Sequence, residues 1–127
     1  MKLLLDTHIL LWYAKGTLPV SASAYIFDES NELFFSPASI WEVVTKNSLG
    51  RKDFQVNPFQ LYNGLIENDC KEMAVTSAHT LGVAALPTIH KDPFDRILLA
   101  QAIAEGASLL TSDSLLANYP GSVIFVR

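Results

Sequence analysis

The sequence is poor in the features that mark secreted and membrane proteins. It contains one cysteine, Cys70, so a disulfide within the chain is excluded, and a lone thiol is typical of a reducing compartment. It also contains no uninterrupted apolar run long enough to cross a bilayer. We therefore expect a protein of the cytoplasm that makes no contact with a membrane.

Repeats and low-complexity tracts are also missing. No segment of about 20 to 50 residues recurs, and no biased tract interrupts the chain. Half of the residues are apolar and 17% are charged, a composition that argues against disorder. Because 127 residues are enough to bury a core, we predict a single domain over residues 1–127.

Basic charge is scarce. The 9 Lys and Arg residues are outnumbered by 13 Asp and Glu residues, which gives a net charge of −4. Nucleic-acid-binding proteins usually carry a basic excess or patch, so the total charge gives no sign of that function. The sequence also has no Gly-rich phosphate loop and no Cys and His residues at zinc-like spacing. The acidic residues are therefore the remaining candidates for a catalytic or metal-binding site.

Short apolar runs alternate with helix-start signals along the chain. The apolar runs predict strands over residues 2–5, 33–35, 72–75, 108–111 and 123–126. Helices are predicted over residues 7–14, 19–29, 37–48, 58–67 and 94–105, with a short helix after Thr76 or Ser77 and a helical turn or two over 114–118. The alternation predicts an α/β fold in which helices pack around a mainly parallel sheet.

Four acidic residues follow predicted strands or begin predicted helices. Asp6 ends the first strand, and Asp113 comes directly after the fourth. Glu42 lies early in the helix after the second strand, and Asp95 lies in the first turn of the helix that Asp92 begins. Because the carboxyl ends of parallel strands meet at one edge of a sheet, all four acids can reach that edge. The alternative for Asp6 and Asp113 is helix capping, and for Asp95 it is a favourable contact with the helix dipole.

Glu42 is the acid that a capping role explains least well. It lies within "SIWEVV", where we expect apolar residues 40, 43 and 44 to mark the side that faces the core, with Trp41 widening it. A charge beside such a stripe is costly unless it is paired or bound to a cation. The alternative is a surface position just outside the stripe.

Four carboxylates at one edge would repel one another and raise each other's pKa values. No lysine or arginine adjoins all four in the sequence, whereas a divalent cation would relieve the repulsion. Clustered carboxylate oxygens favour Mg²⁺ or Mn²⁺, and a site of this kind usually acts on phosphates. The three histidines, His8, His79 and His90, are scattered, and we expect them to be structural or exposed.

Four segments of the chain match a known family in order and spacing. "LLLDTHILLW", "PASIWEVVTKNSLGR", "HKDPFDRILLAQA" and "LLTSD" resemble the PIN-domain ribonucleases. The likeness is strongest to the VapC-type toxins of prokaryotic toxin–antitoxin pairs, in the branch with a D-P-F-D-R motif. It runs from Lys2 to the last predicted strand and so covers nearly the whole chain.

The resemblance implies a fold, an activity and partners. The fold would be a PIN-like three-layer sandwich with a central, mainly parallel sheet flanked by helices. The activity would be hydrolysis of RNA phosphodiester bonds with Mg²⁺ or Mn²⁺. The partners would be the RNA substrate, a cognate antitoxin protein and a second copy of the chain in a homodimer.

The resemblance also implies roles for individual residues. Four acids would be both catalytic residues and metal ligands: Asp6, Glu42, Asp95 and Asp113. Thr7 and Thr111 would support them, and Asp92 would mainly cap its helix. No residue is predicted to bind any other cofactor.

Basic and aromatic residues match the family pattern less closely. Lys46 and Arg51 would contact RNA or the antitoxin, with neighbouring Lys52 in the same segment, although a solvated loop is the alternative. Arg96 would contact a phosphate or the antitoxin, or pair with an acid of the pocket. Trp12 and Tyr13 are expected to pack in the core, with an interface as the alternative.

Two other functions are consistent with the sequence. One is a catalytically degenerate PIN-like module that binds RNA or a protein. The other is a different Mg²⁺-dependent phosphotransfer domain, although "DTH" lacks the second acid of an aspartyl-phosphatase D-x-D motif. Binding of Mg²⁺ would separate the nuclease from the degenerate module, because a binding module need not hold the ion.

Overall fold

The computed structural model describes residues 1–50, 52 and 54–127, and Arg51 lies outside them. Five strands alternate with six α-helices. The strands are β1 (Lys2–Leu5), β2 (Glu32–Phe35), β3 (Lys71–Glu72), β4 (Ser108–Thr111) and β5 (Val123–Phe125). The helices are α1 (Thr7–Lys15), α2 (Val20–Ile26), α3 (Pro37–Ser48), α4 (Pro58–Glu67), α5 (Ser77–Gly82) and α6 (Pro93–Glu105). Two 3₁₀ helices, Val83–Ala85 and Ser114–Asn118, complete the described elements.

The strands form one parallel sheet in the order β3-β2-β1-β4-β5. The apolar strand β1 is central, with Leu3 opposite Leu33 of β2 and Leu4 opposite Leu109 of β4. Parallel strands need crossover connections, and helices supply them on both faces of the sheet. The predicted α/β fold with a mainly parallel sheet is therefore confirmed.

Alternate residues of the central strands enter two separate cores. Leu3 and Leu5 pack with apolar residues of α1 to α4 on one face, whereas Leu4 packs with Leu98 and Leu99 of α6 on the other. All five side chains are almost completely buried. This is the three-layer sandwich that the resemblance implied.

The strand β3 is shorter and earlier than the predicted strand over 72–75. Met73 donates its N–H to the carbonyl of Phe35, and the chain then leaves the sheet. The carboxamide of Gln101 donates to the carbonyl of Met73 at 2.9 Å, so a side chain replaces the next backbone partner. The buried carbonyl is satisfied without a longer strand.

The helix α2 is also shorter than the predicted helix over 19–29. Pro19 has an extended backbone and precedes the helix, instead of forming its first turn. After Phe27, the carboxylate of Asp28 accepts hydrogen bonds from the N–H and hydroxyl of Ser30, at 2.9 and 2.7 Å. This local turn competes with the helix and ends it.

The carboxyl ends of β1, β2 and β4 lie at one edge of the sheet, and each leads into a capped helix. Asp6 caps α1, Ser36 caps α3 and Asp113 caps the 3₁₀ helix Ser114–Asn118. Within the described ranges, no helix combines the length and apolarity that crossing a bilayer requires. The single domain over 1–127 stays a prediction.

Gly121, in the turn before β5, packs closely against Ile103 of α6. Its φ of +97° is unfavourable for other residues, and an added Cβ would lie 2.8 Å from Cγ1 of Ile103. We expect Gly121→Ala to lower the free energy of unfolding by at least about 1 kcal/mol, measured by chemical denaturation. Gly64→Ala is the control, because among the described residues no atom of another element lies within 4 Å of a Cβ at that helical position, and the substitution should stabilise the helix. Equal effects of the two variants would contradict the packing described here.

Candidate active site

Asp6 lies at the centre of the acidic edge and is almost completely buried. One carboxylate oxygen accepts a hydrogen bond from the N–H of Ile9 at 2.9 Å, and this bond caps α1. The other oxygen accepts a hydrogen bond from the hydroxyl of Thr111 at the end of β4. Burial raises the pKa of Asp6 above its usual value, although both hydrogen bonds act against the shift. Asp6 is thus a helix cap and a constrained buried acid together.

Glu42 is also buried, with 4% of its surface exposed. Its Oε1 accepts a hydrogen bond from the hydroxyl of Thr7 at 2.6 Å, which joins α1 to α3. Its Oε2 lies 2.7 Å from Nζ of Lys46, one helical turn further on. The charge near the core is therefore paired, as its burial requires.

The side of α3 that faces the core differs from the predicted one. Ala38, Ser39, Glu42 and Val43 are buried, and residues four apart share a helix face. Val43 is buried and Ile40 packs against the core, as predicted, whereas Trp41 is 65% exposed and Val44 is 46% exposed, so the prediction is wrong for these two residues. Glu42 lies within the buried face of α3.

Asp95 and Asp113 meet at a third side chain, His90. The ring Nε2 of His90 lies 3.2 Å from Oδ2 of Asp95 and 2.9 Å from Oδ2 of Asp113. The three potential ligand atoms all lie within 4.8 Å of one another. The other carboxylate oxygen of Asp113 accepts a hydrogen bond from the N–H of Leu115 at 2.9 Å. Two acids from distant parts of the chain are thus drawn together.

The charges of Asp6 and Glu42 affect the ionisation of Asp95. Burial, followed by the negative charge of Asp92, raises the pKa of Asp95 to about 7. Asp6 and Glu42 act in the same direction, whereas His90 lowers the pKa. Such effects between charges fall off with distance, so Asp6, Glu42 and Asp92 lie near Asp95. The structure therefore brings the predicted acids to one edge, as the strand ends required.

The residues around the acids match a known family. A model of the PIN domain matches residues 3–121. The chain belongs to the PIN domain family. No curated protein sequence matches the chain.

Three solved structures share the fold of the chain at low sequence identity. VapBC2 from Rickettsia felis, bound to a DNA fragment from its promoter, has a TM-score of 0.75 at 19% identity, with 98% of each chain covered. DNA-bound VapBC from Salmonella typhimurium has a TM-score of 0.71 at 14% identity, again with 98% of each chain covered. VapBC-1 from nontypeable Haemophilus influenzae has a TM-score of 0.66 at 16% identity, with 98% of each chain covered. These likenesses establish the PIN fold of the chain.

The two threonines of this PIN domain join the acids to one another. Thr7 donates to Glu42, and its hydroxyl also lies 3.0 Å from that of Ser39. Thr111 donates to Asp6 and accepts a hydrogen bond from the N–H of Asp113 at 3.0 Å. Each hydroxyl therefore fixes a carboxylate that could otherwise rotate.

Sequence reasoning missed His90 and Ser39. We expected the histidines to be structural or exposed, but we did not expect the ring of His90 to lie between two of the candidate acids. The signal was its place in "HKDPFDR", two residues before the cap of α6. Asp92 is that cap, as expected, and accepts a hydrogen bond from the N–H of Phe94 at 2.9 Å. Ser39 carries no comparable sequence signal.

Arg96 has a different role from the predicted pairing with an acid. Its guanidinium donates to the carbonyls of Pro87, Val83 and His90, at 2.9, 3.2 and 3.3 Å. It also lies 3.3 Å from the hydroxyl of Tyr119. Within the described part of the chain no carboxylate lies at ion-pair distance from it, so the pairing with an acid is wrong. Arg96 instead holds together the loop before α6.

The remaining basic and aromatic candidates lie in different settings. Lys46 pairs with Glu42, Lys52 is exposed, and Arg51 falls outside the described residues. Trp12 and Tyr13 are partly buried and pack against the core on the α1 side, as expected. The ring of His8 lies 6.4 Å from that of Trp12, near the cleft beside Asp113.

The raised pKa of Asp95 predicts how the metal-free protein responds to pH. In the unfolded chain this acid has its usual pKa of 3.8, so between about pH 4 and pH 7 the folded state holds a proton that the unfolded state has lost. Its contribution to stability therefore falls as the pH rises through this interval. Asp95→Asn removes the buried charge but keeps an oxygen for His90. Its melting temperature should exceed that of the wild type at pH 8 and approach it near pH 4.

The measurement is thermal unfolding in EDTA across this pH range, where 1 kcal/mol corresponds to about 2–8 °C. Glu29→Gln is the control, because it removes an exposed carboxylate from a loop and should change little at any pH. A pH-independent difference for Asp95→Asn would show that the charge of Asp95 is not the cause.

Proposed function

We propose that the protein is a metal-dependent endoribonuclease that hydrolyses RNA phosphodiester bonds and is the toxin of a toxin–antitoxin pair. The main support is the convergence of buried acids at one sheet edge of a PIN domain, with the pKa of Asp95 raised to about 7. Acids held together against their mutual repulsion indicate a site shaped for positive charge. A bound cation would offset this repulsion, which supports a metal-dependent site.

We assign Mg²⁺ or Mn²⁺ to the carboxylates of Asp6, Glu42, Asp95 and Asp113. The donor set fits these ions, because all four groups offer hard oxygen atoms. When bound, such an ion activates a water molecule and stabilises the leaving oxygen of a phosphodiester. One or two ions are compatible with four carboxylates.

The residues of the chain prepare this site before substrate arrives. Thr7 holds Glu42, and Thr111 holds Asp6, through hydroxyl donors that fix the carboxylate planes. Little reorganisation is then needed when charge develops in the reaction, and this preorganisation is a major source of catalysis. We therefore propose supporting roles for both threonines.

A shallow cleft of about 410 Å³ next to Asp113 supports RNA as the substrate. It is lined by His8, Trp12, Ser112 and Ser114 together with Asp113. Aromatic rings stack on bases of any sequence, and the two hydroxyls offer hydrogen bonds. A nucleotide adjoining the scissile phosphate would lie in this cleft.

The comparisons support a protein partner. Structures of VapBC assemblies share the fold over 98% of the chain, and we propose a cognate antitoxin for this protein on that basis. An apolar groove of about 640 Å³ between α3 and α6 is consistent with a protein interface. Exposed Trp41 packs edge-on against Phe94 in this groove, with ring centroids 5.3 Å apart. We propose homodimerisation as well, without assigning it to this groove.

Cleavage of a labelled RNA pool by the purified chain tests the activity. We expect cleavage with Mg²⁺ or Mn²⁺ and none in EDTA. Asp6→Asn and Asp95→Asn should each lower the rate by at least about 100-fold, because each removes a charged ligand. Glu29→Gln removes an exposed acid from the loop before β2, at the edge of the sheet opposite the site, and should retain the wild-type rate.

Circular dichroism must show that the variants are folded, since Asp6 also caps α1. Cleavage that persists in EDTA, or in both acid variants, would refute the proposal. Binding of RNA or a protein without metal and without cleavage would instead identify the degenerate binding module.

A further inference from the structure

His90 at first resembles a third metal ligand. Its Nε2 lies within 3.2 Å of both Asp95 and Asp113, and one nitrogen with two carboxylates is a common ligand set for transition metals. The ring is only 17% exposed, so its orientation is restricted. Its second nitrogen decides between ligation and another role.

The Nδ1 atom of His90 accepts a hydrogen bond from the backbone N–H of Asp92 at 3.1 Å. A backbone amide nitrogen can only donate, so Nδ1 must present its lone pair. The neutral ring then carries its hydrogen on Nε2. That N–H donates to Oδ2 of Asp113 at 2.9 Å, and Nε2 also lies 3.2 Å from Oδ2 of Asp95.

Metal ligation would require the opposite arrangement. A ligating imidazole offers a lone pair to the metal and donates the N–H of its other nitrogen to an acceptor. With Nε2 as ligand, the hydrogen on Nδ1 would face the N–H of Asp92, and two donors would oppose each other. The bond to Asp92 therefore disfavours His90 as a ligand.

We infer that His90 is a positioning residue: its Nε2–H, which bonds to Asp113 and lies beside Asp95, holds these two carboxylates together, and His90 is not itself a metal ligand. This inference rests on the proposed metal site. Without this donor, Oδ2 of Asp113 would lose its 2.9 Å partner, and the side chain would be fixed only through its other oxygen. His90 thus joins an acid of α6 to the acid that follows β4.

The backbone of His90 is held as firmly as its ring. The hydroxyl of Tyr119 accepts a hydrogen bond from the N–H of His90 and lies 3.1 Å from its carbonyl, to which it donates. The guanidinium of Arg96 donates to the same carbonyl at 3.3 Å. A residue fixed from the backbone outward can set the position of the carboxylates it contacts.

Imidazole ¹⁵N NMR tests the inference directly. We expect His90 to carry hydrogen on Nε2 and a lone pair on Nδ1, both in the metal-free protein and after saturation with diamagnetic Mg²⁺. His79 is an internal reference, because its Nδ1 accepts from the N–H of Thr76 at 3.0 Å and its Nε2 lies 2.8 Å from Glu105. Hydrogen on Nδ1 of His90 in either state would overturn the inference.

Two variants test the positioning role through Mn²⁺ affinity measured by electron paramagnetic resonance. His90→Ala should weaken binding by about 10–100-fold, as for other residues that orient metal ligands. His90→Gln keeps an N–H donor and should recover most of the loss. Unchanged affinity in His90→Ala, or equal loss in both folded variants, would overturn the positioning role.

These readouts separate the two proposals. If the wild-type protein binds neither Mn²⁺ nor Mg²⁺, the proposed nuclease fails, and so does the role assigned to His90 in metal binding. If metal binds and RNA is cleaved but the NMR shows hydrogen on Nδ1, only the inference about His90 fails.

Discussion

Burial of negative charge at the carboxyl edge of a parallel sheet is the constraint on which this structure depends. Asp6 and Glu42 are almost completely buried, and each would be strongly disfavoured as an isolated ion. The surrounding residues offset this cost with hydrogen-bond donors and one positive charge. Thr111 and the N–H of Ile9 bind Asp6, while Thr7 and Lys46 bind Glu42. Much of the polar chemistry in the interior is devoted to these few oxygen atoms.

Helix capping and site formation are the same structural event in this fold. Asp6 and Asp113 each use one carboxylate oxygen to cap the helix that follows a strand, leaving the second oxygen for other contacts. The positive end of each helix favours the charge as well. The capping alternatives from the sequence are therefore compatible with a functional role. The hydrogen bond by which each acid caps its helix also fixes the direction of its second carboxylate oxygen.

The sequence predicts those parts of the site that depend on strand ends and helix starts. Asp6, Asp95 and Asp113 could be located because "LLLD", "DPFD" and "LLTSD" encode these boundaries locally. The inward face of α3 could be predicted only in part: Val43 faces the core as expected, but apolar Trp41 and Val44 remain exposed while the charged Glu42 is buried. Apolar periodicity identifies a core face only when polar residues avoid that face.

The orientation of the His90 ring could not be predicted from the sequence, for a different reason. It lies in an irregular loop whose shape is set by Tyr119, 29 residues away along the chain, and by the side chain of Arg96. Such long-range hydrogen bonds leave no periodic signal. The bond from the amide of Asp92, which fixes the hydrogen on the ring, is visible only once the loop has folded.

The use of Arg96 in this loop has a consequence for substrate binding. Its guanidinium binds carbonyl oxygens, and Lys46 pairs with Glu42, so two nearby positive charges are already engaged within the protein. With a net charge of −4, the chain has little long-range attraction for a polyanion. In the proposed nuclease, positive charge opposite the scissile phosphate must then come mainly from the bound cation. The same carboxylates that make the metal-free site unfavourable for RNA would make it favourable once Mg²⁺ or Mn²⁺ is present.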